Sequence, residues 1–105
     1  AKINKEIEIE TLKITVRDIS NQDIESRKLD KNIKGAVIVN ISSKSSLSGL
    51  LNVNDIIIEV QKNPVIKSAD LNEIVNQIFK KGEKTLLITV INKNNQRRYL
   101  GVKIN

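Results

Sequence analysis

The stretch GAVIVNISSKSSLSGLLNVNDIIIEVQKNPV, residues 35–65, decides the fold. Gly35 opens a β-branched run, Ala36-Val37-Ile38-Val39-Asn40-Ile41, and Asn54-Asp55 leads into a second, Ile56-Ile57-Ile58-Glu59-Val60. Short aliphatic runs bounded by Gly and Asn predict strands that are covered on both faces. Between them the serines of residues 42–46 predict a loop, and residues 45–51 one or two helical turns, closed between Gly49 and Asn54. Gln61-Lys62-Asn63-Pro64 predicts a turn after the second strand.

Working outward on the N-terminal side, Leu12, Ile14 and Val16 alternate with Lys13, Thr15 and Arg17, the pattern of a half-buried strand. Residues 1–10 alternate as well, with Ile3, Ile7 and Ile9 among Lys5, Glu6, Glu8 and Glu10. They are expected to be a linker or an N-terminal strand, with the domain proper over residues 11–105. Residues 19–32 are polar, with Ile24 and Leu29 as sparse anchors, and predict a short helix or an irregular loop. On the C-terminal side the spacing of Leu71, Ile74, Val75 and Ile78 predicts a helix over residues 68–81. Ser68 is its expected N-cap, Asp70 lies in its first turn and Gly82 stops it. Two strands follow, residues 85–91 and 97–104, joined by Asn92-Lys93-Asn94-Asn95. The class implied is a small α+β domain, a partly open antiparallel barrel or sandwich with two helices.

The 105 residues match one domain, and 39% hydrophobic residues suffice for one core. Aromatics are 2%, Phe79 and Tyr99, so that core is aliphatic. Cysteine and histidine are absent, which excludes disulfides, thiolate or imidazole metal sites and a Ser-His-Asp triad within this chain. No cofactor or metal is expected. Asp55 and Glu59, four apart on a strand, would stand about 13 Å from each other, too far to work on one bond. Nothing near Lys44 desolvates it as a base for the neighbouring serines, and four isolated glycines form no phosphate-cradling loop. The net charge is +6, but the basic residues are scattered among acids, with Arg27-Lys28, Lys80-Lys81 and Arg97-Arg98 the only adjacent pairs. A small basic β-domain binding nucleic acid is therefore the competing reading, disfavoured by the dearth of stacking aromatics. The longest apolar run, Ala36 to Val39, is far too short to span a bilayer. The residues alone describe a binding or structural module without catalysis of its own.

Residues 11–104 resemble the PDZ domains of HtrA/Do (Deg)-like bacterial serine proteases. The likeness rests on the order Gly35-Ala36-Val37-Ile38-Val39, then Ser45 to Leu51, then Asn54-Asp55-Ile56-Ile57, then Gln61 to Val65. It is continued by Ser68-Ala69-Asp70-Leu71 and Thr85-Leu86-Leu87-Ile88, and opened by Leu12 to Ser20. The resemblance implies a circularly permuted PDZ fold of five or six strands and two helices. It also implies capture of extended peptide segments or C-termini by β-strand addition, or assembly contacts with other subunits of a protease oligomer. The carboxylate loop would be Thr11-Leu12-Lys13-Ile14, the pairing strand Ile14-Thr15-Val16, and the helix wall Leu71, Val75 and Ile78, with Ile74 turned into the core. Such capture needs an open β-edge beside the long helix. The parent would be a periplasmic endopeptidase whose hydrolysis resides outside these residues; an adaptor domain of a site-two or tail-specific protease is the other parent of this kind. Lys13, Asn54 and Lys62 stand where the family pattern has Gly, and Leu50 replaces the Gly of its Ala-Gly-Leu turn, with Gly49 one place earlier.

Overall fold

The computed structural model describes residues 5–103. Ile3 and Ile104, each expected in a terminal strand, lie outside the described residues. In chain order the elements are β1 (Glu6–Ile9), β2 (Ile14–Asp18), α1 (Asn21–Arg27), β3 (Ala36–Ile41), β4 (Ile56–Val60), β5 (Asn63–Pro64), α2 (Ser68–Lys80), β6 (Thr85–Ile91) and β7 (Arg97–Lys103). One open antiparallel sheet runs β1-β2-β3-β4-β6-β7, and the two-residue β5 pairs with β4. The one strand beyond the expected five or six is the two-residue β5.

Both faces of the central strands are covered, as their unbroken aliphatic runs require. Ala36 and Ile38 point into the main core with α2, whereas Val37 joins Ile56 and Ile91 in a second cluster beneath Ile19, Leu29 and Ile33. Strict alternation would place Ile57 and Val60 on opposite faces. The pairing shifts between Ile57 and Glu59, and this bulge returns Val60 to the main core alongside Ile57. At the entry to β3, Gly35 passes close to β4: a Cβ there would sit 2.5 Å from the Ile57 carbonyl oxygen, at φ +154°. No side chain fits.

α1 is held by a reciprocal cap. Ser20 Oγ accepts the Asp23 amide at 3.1 Å, and the Asp23 carboxylate accepts the Ser20 amide at 2.8 Å. Arg17 of β2 adds a two-pronged ion pair to Asp23, at 2.6 and 3.0 Å. That guanidinium holds the Asp23 carboxyl down to about 2, against the opposing effect of burial, and the Arg17 pKa is raised in return.

α2 corrects one expectation. Ser68 is inside the helix, and the residue preceding it, Lys67, has extended backbone. The Ser68 hydroxyl is buried without a partner, while its amide donates to the Asp18 carboxylate at 2.7 Å. The anionic cap therefore arrives from β2, fifty residues away in sequence. Asp70 complements it by accepting the Lys67 amide at 3.0 Å. Residues 45–51 also differ from expectation: they form successive turns and no helix. The Ser45 hydroxyl is engaged by the Leu12 carbonyl and the Leu47 amide, and Gly49 takes φ +84°.

Candidate functional site

The loop Thr11-Leu12-Lys13-Ile14 lies between β1 and β2. Lys13 takes φ +56°, the left-handed conformation that glycine adopts without a Cβ penalty. Asn54 at φ +79° and Lys62 at φ +66° do the same at two of the other three positions where the family pattern has Gly, and Gly49 takes φ +84° one place before the third, Leu50. The turn geometry survives although its usual residue does not. The serine-rich loop braces this one from outside: Ser45 Oγ donates to the Leu12 carbonyl, and the Ser42 amide donates to the Lys13 carbonyl at 3.0 Å. Thr11 is half-buried with its hydroxyl unpartnered.

All the anticipated apolar groove residues converge. Leu12, Ile14, Val16, Leu71, Val75 and Ile78 belong to one buried cluster, and Thr15 between them is half-buried. Ile74, expected in the core, is the outermost of the four aliphatic residues on α2, because the buried stripe runs Ser68, Leu71, Val75, Ile78. A stripe of that spacing drifts round the helix and leaves position 74 at its margin.

The β-edge itself is not open. The chain's own β1 lies on it, antiparallel, with Ile9 opposite Ile14, Glu8 opposite Thr15, Ile7 opposite Val16 and Glu6 opposite Arg17. α2 packs against β1 as well as against β2, so residues 6–9 lie in the groove between strand and helix. Ile9 is completely buried among the groove residues, Ile7 is half-buried, and Glu6 and Glu8 face solvent. Glu6 is placed across from the Arg17 guanidinium and contributes to its raised pKa. The Ile9 carbonyl accepts the amides of Leu12, at 3.1 Å, and Lys13, at 2.7 Å. Two successive N–H groups of the loop thus converge on one acceptor at the end of an extended strand. That is the chemistry expected for capture of a guest, performed here within the chain. The expectation of an open edge is therefore corrected. The alternation of Ile7 and Ile9 with glutamates marks a strand but carries no information about which edge it joins.

Two open depressions lie elsewhere, of about 390 Å³ beside Ile33, Ile58 and Arg97, and about 230 Å³ between Ile19, Ile24 and Ile66. Asp55 is buried and turned to its own loop, accepting the Asn52 amide at 3.0 Å.

Sheet order, the helix beside β2 and the amide-bearing loop together define a PDZ fold of the HtrA type. A PDZ domain of HtrA3, solved bound to a phage-derived ligand with the sequence FGRWV, superposes with TM-score 0.64 at 22% identity, over 96% of this chain and 84% of that one. An HtrA-type protease, AlgW, solved with a decapeptide, superposes with TM-score 0.67 at 20% identity over 88% of this chain. The aligned region is 27% of AlgW, so this chain spans about a quarter of that protein's length. No family model and no curated protein matches the sequence.

Proposed function

We propose that this chain is a peptide-binding PDZ module that takes extended segments by adding them as a strand to β2, beneath α2, in exchange for β1, which holds that edge in this structure. The observation that carries the reading is the pair of loop amides, Leu12 and Lys13, converging on a single acceptor beside an apolar pocket. A guest would align with Ile14-Thr15-Val16, place an aliphatic side chain against Leu71, Val75 and Ile78, and offer its carbonyl or carboxylate to the loop. An edge-added strand loses its own conformational freedom, so affinity is expected near micromolar, or about −8 kcal/mol. The likeness to an HtrA3 PDZ domain solved with a ligand and to an HtrA-type protease solved with a decapeptide supports the same reading. The parent we propose is a periplasmic serine endopeptidase acting in protein quality control. Catalysis belongs to that parent; this chain supplies recognition.

The test is an amide-resolved NMR titration with peptides ending in an aliphatic residue. Shifts over residues 12–17 and 71–78 are expected, and shifts confined to β6 and β7 would remove the assignment. A second reading is favoured by the presence of β1 in the groove: a closed module whose role is contact with other subunits of an oligomer. Light scattering that finds association without any peptide response would select it.

A further inference from the structure

We infer that Glu6–Ile9 is a tethered ligand of the groove, so that a guest enters by displacing it, and that its sequence states what the groove prefers. The inference rests on the peptide-capture reading above. β1 satisfies each requirement of a guest at once: antiparallel pairing along β2, contact with α2, a buried aliphatic side chain at Ile9, and a carbonyl on the Leu12 and Lys13 amides. Ile7 and Ile9 share the inward face, while Glu6 and Glu8 face outward. The favoured ligand class is accordingly an extended aliphatic-x-aliphatic segment with an acidic or polar residue between. Because a carbonyl in mid-chain satisfies the loop, internal segments qualify, and a free terminus is not required.

A strand joined to its site by the four residues 10–13 acts at an effective concentration in the millimolar range. If the untethered strand would bind the groove at about 100 μM or tighter, such a tether weakens a guest's apparent binding tenfold or more. β1 itself makes four residue pairs with β2, against seven between β6 and β7. As the terminal strand of the sheet order, it can leave without parting any other pair of strands.

The probe is the amidated peptide Lys-Glu-Ile-Glu-Ile, titrated by fluorescence polarisation into full-length chains. Ile9→Asp places a carboxylate where the aliphatic anchor was, and should bind the probe at least tenfold tighter than the native chain. Glu8→Cys with Thr15→Cys locks β1 to β2, since residues opposite each other on antiparallel strands are within disulfide reach and the chain has no other cysteine. Its oxidised form should bind at least tenfold more weakly than its reduced form. Equal binding by the oxidised and reduced forms overturns the tether while leaving peptide capture standing. If Ile9→Asp keeps native amide dispersion and neither it nor the reduced cysteine chain binds the probe, peptide capture itself falls. Should Ile9→Asp not fold, the oxidised and reduced comparison decides the tether alone, and probe-induced exchange of the native Ile7 and Ile9 amides provides the second readout.

Discussion

The sheet ends in two edges that are protected by opposite means. At one end β7 is seven residues long and largely exposed, with Arg97, Arg98 and Lys103 along it and Tyr99 65% exposed. Charged side chains on an exposed edge discourage pairing with another chain. At the other end β2 would present an apolar edge, and β1 covers it with Ile9 buried and only four residue pairs. The β7 edge is guarded by charge, whereas the β2 edge is guarded by the backbone pairing of a four-residue strand. A protein that needed only to avoid aggregation could have treated both edges alike. The difference is the one that the proposed exchange of strands at β2 requires.

The largest effect that tests this contrast compares two fully buried isoleucines. Ile38→Ala in central β3 should cost about 2–5 kcal/mol of global stability by chemical denaturation. Ile9→Ala should cost clearly less, because β1 can open without the rest unfolding. Equal costs would make β1 an integral strand and erase the distinction between the edges.

Asp18 joins the guarded edge to α2 by accepting the Ser68 amide, so Asp18→Ala should lower stability by about 1 kcal/mol. It should also loosen the N-terminal turn of α2, read as faster amide exchange at residues 68–71.

Acid probes the same end of β2, one residue earlier. The Asp23 carboxyl lies at about 2 in the folded chain, below its ordinary 3.8, because Arg17 donates to it. The pair therefore contributes its stability above pH 4 and loses it as the pH falls from about 4 to about 2. The loss should be on the order of 1 kcal/mol for a pair in partial contact with solvent. Arg17→Met should flatten this acid limb of the stability curve, measured by urea midpoints across pH.

The smallest effect concerns the loop between the two strands. Lys13→Gly relieves a left-handed lysine and should raise stability by about 0.5 kcal/mol, once glycine's extra freedom in the unfolded chain is subtracted. A loss instead would mean that the lysine side chain has a stabilising role of its own at this loop.

Much of this architecture was legible residue by residue. Ala36-Val37-Ile38-Val39 and Ile56-Ile57-Ile58 read as strands covered on both faces because no polar alternation interrupts them, and two hydrophobic clusters do flank them. The helix over residues 68–80 and the turn at Asn92–Asn95 followed from periodicity and from residues that tolerate positive φ. The bulge at Ile58 was hidden, because a run of three isoleucines looks the same with or without a register shift. The cap on α2 was misplaced at Ser68, since local pattern cannot see an aspartate arriving from β2. For the site, the groove residues were identified from the family resemblance and their side chains do meet. The occupant of the groove was missed, because alternation identifies a strand and leaves its partner unspecified.

By itself, then, the sequence determined an aliphatic two-faced sheet, one amphipathic helix, and the lack of imidazole and thiol chemistry. Those properties follow from local sterics and from periodicity, which each short segment carries alone. Only the tertiary structure decided that Glu6–Ile9 fills the edge of β2 under α2 and gives its Ile9 carbonyl to the Leu12 and Lys13 amides. Strand pairing is a choice among competing edges, and it is made by the free energy of the assembled sheet, not by any one segment of it.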